Sequence, residues 1–294
     1  MNITIKLRLL ALPTAQVSTA ISANGKKEYK MSKYRSKHIK SVQDFVALVD
    51  REKEASEKTG NDVDFLFRGQ RQDHPLLPKI ARIKLRGELI NIEKLIIDEF
   101  RRTSLPLSDI QPNNNWDLLA IAQHHGLPTR LLDWTYSALV ALWFAVSKTP
   151  CEDNPAIVWI LKPDIDDFID DTEGDDPLSN KKTRIFRPRI VSRRISAQAG
   201  LFTVHKINEG ERVVKFENHT KFIKKLFKIQ IPADKFASIR HRLNMLGINA
   251  STVFPDIDGL CSHLQWRYSY LEDEIKNKKS LTRSFSGAQK TRAH

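Results

Sequence analysis

The sequence predicts an α+β fold in which a mixed or antiparallel central sheet is flanked by helices. Segments with helical spacing of apolar residues are interspersed with short strand-like runs, and they lack the regular βαβ repeat of a doubly wound parallel sheet. Size agrees: 294 residues with 40% hydrophobic content can bury the core of one large domain or two small ones.

Residues 1–40 show no sustained periodicity and read as a basic, disordered leader, so the domain is expected to begin at residue 41. Lys6, Arg8 and the Leu9–Leu12 run imitate a secretory signal, but Pro13, Gln16, Ser18 and Thr19 interrupt the apolar stretch early. From Ser41 to Lys58, Val42, Phe45, Val46 and Val49 fall on one helical face, with Ser41 as cap. Gly60-Asn61-Asp62 breaks that helix, and Val63–Phe67 reads as a strand opening into Arg68-Gly69-Gln70. Leu89, Ile92, Leu95, Ile96 and Phe100 form the stripe of a second helix over Glu88–Phe100.

Trp116–His125 is predicted as a short helix capped by Asn114 or Asn115 and closed by Gly126. Ala138–Val146, apolar on all sides, reads as a buried helix capped by Thr135 or Ser137. Strands are expected at Ala156–Leu161, Leu201–His205 and Lys225–Ile231, with an acidic loop, Asp164–Asp176, after the first. A helix at Pro232–Leu246, an extended piece at Val253–Pro255 and a closing helix at Leu260–Lys276 complete the reading. Residues 267–294 hold the end of that helix and a basic tail.

Composition and missing motifs narrow the function. Two cysteines, Cys151 and Cys261, make neither a disulfide framework nor a zinc cluster, and a reducing, cytoplasmic setting is expected. No run reaches the roughly 18 apolar residues of a spanning helix, so no membrane partner is expected. Only 11 glycines occur, none in Walker or dinucleotide spacing, and neither Gly-x-Ser-x-Gly nor His-Glu-x-x-His is present. The rings of the adjacent His124 and His125 would point about 100 degrees apart on a helix, and the acidic loop lacks EF-hand order, so no metal is predicted. The net charge of +13 raises nucleic acid as a partner through the basic ends of the chain.

Three stretches carry a resemblance. Phe67-Arg68-Gly69-Gln70, the block from Gln123 through His124, His125, Gly126, Leu127, Pro128, Thr129, Arg130, Leu131, Leu132, Asp133 and Trp134 to Thr135, and Gln198-Ala199-Gly200-Leu201-Phe202 together resemble the FRG domain family. Gly247-Ile248 and Phe254–Leu260 are similar to that family's C-terminal segment, which extends the expected domain over 41–266. The order of a strand-borne Arg, a Thr-bearing turn into an Ala- and aromatic-rich helix, and a late polar residue is similar to ADP-ribosyltransferases.

That second likeness implies an ADP-ribosyltransferase-like fold, NAD as substrate, and ADP-ribosyl transfer or NAD hydrolysis, as in a toxin or defence effector. Asp133, Gln198, His124 and His125 are the catalytic candidates. Arg68, Gly69, Gln70, Gln123, Thr129, Arg130, Trp134, Thr135 and Phe202 are the ligand-binding candidates. Arg68, then Arg130, can grip a pyrophosphate with parallel hydrogen bonds, Trp134 offers a ring for stacking, and Asp133 can stabilise an oxocarbenium-like state. The late position is Gln198, not the Glu of the transferase pattern, and glutamine supplies no negative charge.

Structural readings compete with each of these. Asp133 and Arg130 can pair with each other or with Arg68, Trp134 can be core, Thr135 can cap the next helix, and the histidines can cap carbonyls. Two other functions remain beside the enzyme: a nucleic-acid-binding module using the basic surface and tails, and a nucleotide-sensing domain that uses the same cleft without turnover.

Overall fold

The computed structural model describes residues 17–21, 27–31, 34–107, 112–169, 176–189, 197–208 and 213–275. The possible signal segment before Val17 and the tail after Ile275 lie outside the described residues. Within the expected leader, β1 (Val17–Ile21) and β2 (Lys27–Met31) pair as an antiparallel hairpin.

Seven further strands form one sheet: β3 (Arg35–His38), β4 (Leu66–Gln70), β5 (Leu131–Thr135), β6 (Ala156–Leu161), β7 (Arg184–Phe186), β8 (Gly200–Val204) and β9 (Leu226–Ile231). Their order is β3-β9-β6-β4-β5-β8-β7, with β3 parallel to β9 and every other pair antiparallel. With helices α1 (Val42–Glu57), α2 (Leu89–Thr103), α3 (Asn115–His124), α4 (Ala138–Val146), α5 (Phe236–Met245), α6 (Ala250–Val253) and α7 (Ile257–Tyr268), the arrangement is α+β around a mixed sheet.

Cross-strand register sorts side chains to the two faces. Phe67 lies opposite both Ile160 and Thr135, and Asp133 opposite Phe202, so Phe67, Ile160, Asp133, Thr135 and Phe202 share one face. That face carries two apolar clusters. Phe67, Val158, Ile160, Phe227 and Ile229 pack with residues of α1, α4 and α5, whereas Leu131, Phe202, Val204 and Phe186 pack with residues of α2 and α3. Asp133 and Thr135 fall between the two. Leu66, Leu132, Trp134, Trp159 and Leu201 cover the opposite face beneath Leu76, Phe216 and Phe222. All six residues of β6 are buried, so it forms the spine of both layers at about 1.5–3 kcal/mol for each large apolar side chain.

The predicted caps act as expected. Ser41 Oγ accepts from Asp44 N–H, Asn114 Oδ1 from Asp117 N–H, and Ser137 Oγ from Val140 N–H. Gly126, at φ +83°, turns the chain out of α3.

Several expectations needed correction. Arg35–His38 joins the sheet upstream of the expected start at residue 41; four polar or basic residues on an edge strand give no apolar alternation to read. The short β7 follows the acidic loop, where Asp164 and Asp167 form a reciprocal cap around a 3-10 turn. Val253 ends a helical turn capped by Asn249 and is not extended. The closing helix starts earlier and stops at Tyr268. Asp256 caps it, and beyond the break at Ser269 the chain brings Asp273 and Glu274 to the buried Arg240, at 2.9 and 2.7 Å. Satisfying a buried guanidinium outweighs a few more helical residues.

Candidate functional site

The cleft is made where β4 and β5 part. They pair at Phe67–Thr135 alone, after which Gly69 and Asp133 no longer face each other in register. At the same place the backbone of helix α4 lies directly on β4. A Cβ at Gly69 would stand 1.9 Å from the Ala141 carbonyl oxygen, so only glycine fits. Arg68 spans the opening and donates from Nη1 to the Asp133 carbonyl at 2.7 Å.

A polar chain pins the Asp133 carboxylate. Oδ2 lies 3.5 Å from Arg68 Nη1, and Oδ1 accepts from Gln123 Nε2 at 3.0 Å. Gln123 is itself oriented by Thr129, whose hydroxyl donates to Gln123 Oε1 at 2.7 Å and accepts from Leu131 N–H at 3.1 Å. The Asp133 side chain remains 57% exposed, so its oxygens still face solvent.

The cavity holds about 400 Å³, a volume suited to a small ligand. Arg68, Lys79 and Arg82 line it with Gln123, His124, Asp133, Thr135 and Gln198, and Phe144 and Phe254 supply apolar wall. Asp133 is the one carboxylate in this lining among the described residues. Burial lowers the Arg68 pKa, the Asp133 charge opposes that shift, and the neighbouring positive charge of Arg82 adds to it. Arg68 Nε is buried and has no hydrogen-bond partner among the described residues.

The candidates divide by position. Arg68, Gly69, Gln123, His124, Asp133, Trp134, Thr135, Gln198 and Phe202 all line the cavity. Trp134 does so from within the core: it is 3% exposed, and its indole N–H donates to Thr203 Oγ1. Thr135 donates to the Gln198 carbonyl at 2.5 Å and accepts from Ser137 N–H, which ties β5 to both the late motif and the start of α4. The Gln198 side-chain amide donates to the Val253 carbonyl at 3.3 Å.

Four candidates lie elsewhere. Gln70 accepts from the Trp159 indole, His125 is exposed at the end of α3, and Thr129 is fully buried behind Gln123. Arg130 is 2% exposed and meets Glu93 of α2 through Nε at 2.8 Å and Nη2 at 2.5 Å. Its expected partners, Asp133 and a ligand, are replaced by a carboxylate that the helical stripe of α2 gave no reason to select. Lys79 and Arg82 were not anticipated either, because they sit on a 3-10 turn with no motif around it.

Residues 63–154 match the FRG domain family. The FRG match runs from the residues before β4 to the loop after α4, and so contains Arg68, Lys79, Arg82, Gln123, His124, Asp133 and Thr135. Gln198 and Phe202 come from outside the matched stretch, carried in by β8. No curated protein and no solved structure matches the chain.

Proposed function

We propose that the FRG cleft binds a pyrophosphate-bearing nucleotide, with NAD as the substrate and scission of its nicotinamide–ribose bond as the reaction. The observation that carries this reading is the charge pattern: Arg68, Lys79 and Arg82 gather around a cavity whose single carboxylate among the described residues is held at one wall. The repulsion between Arg82 and Arg68 is relieved when an anion lodges between them. Arginine matches a phosphate with paired donors, and a guanidinium whose Nε lacks a partner among the described residues has donor capacity left to gain if it turns toward an anion.

Asp133 then stands where positive charge develops. As nicotinamide leaves with the electron pair of the N–C1′ bond, the ribose acquires oxocarbenium character that a fixed carboxylate stabilises. The hydrogen bonds from Gln123 and Arg68 hold that carboxylate before substrate arrives, so little reorganisation accompanies bond breaking. Phe144 and Phe254 offer apolar surface for a flat ring, and water or an acceptor nucleophile completes the reaction at C1′.

The test is incubation of the full chain with NAD, chromatography for free nicotinamide, and thermal shift with NAD and ADP-ribose. Release of nicotinamide is expected. Arg82→Gln, which removes one cation of the lining, should reduce the NAD-induced shift. Absence of both nicotinamide and any nucleotide-induced shift removes the proposal.

A further inference from the structure

A second depression, of about 380 Å³, lies beyond the far end of β8. It is lined by Asp166, Phe168, Thr183, His219 and five formal cations, namely Lys181, Lys182, Arg184, Lys206 and Lys221. Nothing in the cleft chemistry uses it, and none of these cations lines the cleft. The geometry points to a second phosphate-binding site there, with the backbone of a single-stranded nucleic acid as its source.

The frame of this depression is built before any ligand arrives. Asn180 Nδ2 donates to the Lys182 carbonyl at 2.5 Å, which fixes the turn that presents Lys181 and Lys182. Thr183 Oγ1 accepts from Lys206 N–H at 3.2 Å, so the chain leaving β8 is fastened to the chain entering β7. Lys206 thus stands beside the other two lysines. On the far side His219 Nδ1 accepts from Lys221 N–H at 3.3 Å, which leaves the neutral ring its proton on Nε2 as a donor.

Charge balance separates these cations from ordinary surface lysines. Lys221 is engaged by Asp167 at 2.7 Å and by the Asp166 carbonyl, and Asp167 is shared with Lys225. Lys181, Lys182 and Lys206 are all exposed, and among the described residues they have no carboxylate partner. Three ammonium groups that lack a carboxylate partner among the described residues, gathered around one concavity, favour a ligand with several phosphates, since each neutralised phosphate also releases condensed counterions. The net charge of +13 attracts the same class of polyanion to the whole chain.

The experiment measures binding of a labelled single-stranded oligonucleotide to the full chain across a salt series, with calorimetry against inorganic pyrophosphate as the second arm. The triple variant Lys181→Gln, Lys182→Gln, Lys206→Gln should bind the oligonucleotide about tenfold more weakly, and its log K against log salt should be shallower by roughly 2. Lys206→Glu alone should shift both in the same direction, while Arg82→Gln in the cleft leaves them unchanged. Pyrophosphate binding that the triple variant loses and Arg82→Gln keeps, without oligonucleotide binding, supports the phosphate site and assigns it a small ligand. Equal oligonucleotide binding by wild type and triple variant, or no binding of either phosphate ligand, overturns the proposal.

Discussion

Strand β5 lies between two arginine–carboxylate pairs that differ in almost every respect but chemistry. Arg130 and Glu93 meet at the closed end with side chains 2% and 0% exposed, and three hydrogen bonds from Arg130 serve the carboxylate. Arg68 and Asp133 meet at the open end with side chains 17% and 57% exposed; Arg68 Nη1 donates to the Asp133 carbonyl at 2.7 Å, and its contact with the carboxylate is a long one of 3.5 Å. A sealed pair satisfies itself and leaves nothing for a ligand. The open pair is underbonded, with an unpartnered Arg68 Nε and a solvent-facing carboxylate, and an underbonded pair can exchange partners when a ligand enters.

The contrast breaks most visibly by cutting each pair. Glu93→Ala strands a buried guanidinium and should cost about 3–5 kcal/mol of stability by urea denaturation, whereas Asp133→Ala should cost no more than about 1 kcal/mol. Equal losses would mean that the two pairs do the same job. Asp133→Asn keeps shape and removes charge. It should lower nicotinamide release by about a hundredfold or more while the melting temperature stays near wild type. A variant that retains full release would leave Asp133 a merely structural partner of Arg68. Gly69→Ala should cost about 1–3 kcal/mol or more, because its Cβ would lie 1.9 Å from the Ala141 carbonyl oxygen. Since Gly69 lines the cavity, the same variant should also weaken the NAD-induced thermal shift.

How much of this was legible in the sequence follows from the range of each interaction. Local patterns gave β6 over Ala156–Leu161 and α4 over Ala138–Val146 with the boundaries later seen, because uninterrupted apolar runs and a Ser cap act within a few residues. The cleft residues Arg68, Gln123, Asp133, Thr135 and Gln198 were legible through motif resemblance, and the structure brings them together. The assignment of Arg130 to the ligand was not corrected by any local signal. Its partner Glu93 lies 37 residues away on the buried side of an otherwise ordinary amphipathic helix. Lys79 and Arg82 escaped for the same reason: a lysine or arginine on a short turn looks like surface until the fold supplies a concavity behind it.

Acid sharpens the comparison with the smallest change, because a buried histidine sits at the closed end. The His205 backbone N–H donates to the Arg130 carbonyl, and His205 is 1% exposed. Thr203 Oγ1 accepts from the Trp134 indole and shares a hydrogen bond of 3.1 Å with His205 Nε2. Burial, aided by the positive charges of His219 and Arg68, pushes the His205 pKa down from 6.5 to about 3. The unfolded chain therefore binds a proton that the folded chain refuses between those values. Stability is complete above pH 6.5 and falls as pH drops toward 3, on the order of 1 kcal/mol per pH unit. His219, shifted down by burial and Lys221, adds in the same direction. Melting temperature followed from about pH 7 to pH 5, above the ordinary carboxylate range, should fall for wild type and fall less for His205→Asn, whose amide can still hydrogen-bond with Thr203. Parallel curves for the two proteins would show that the closed end does not exclude protons, and its contrast with the open cleft would then rest on the Arg130–Glu93 pair alone.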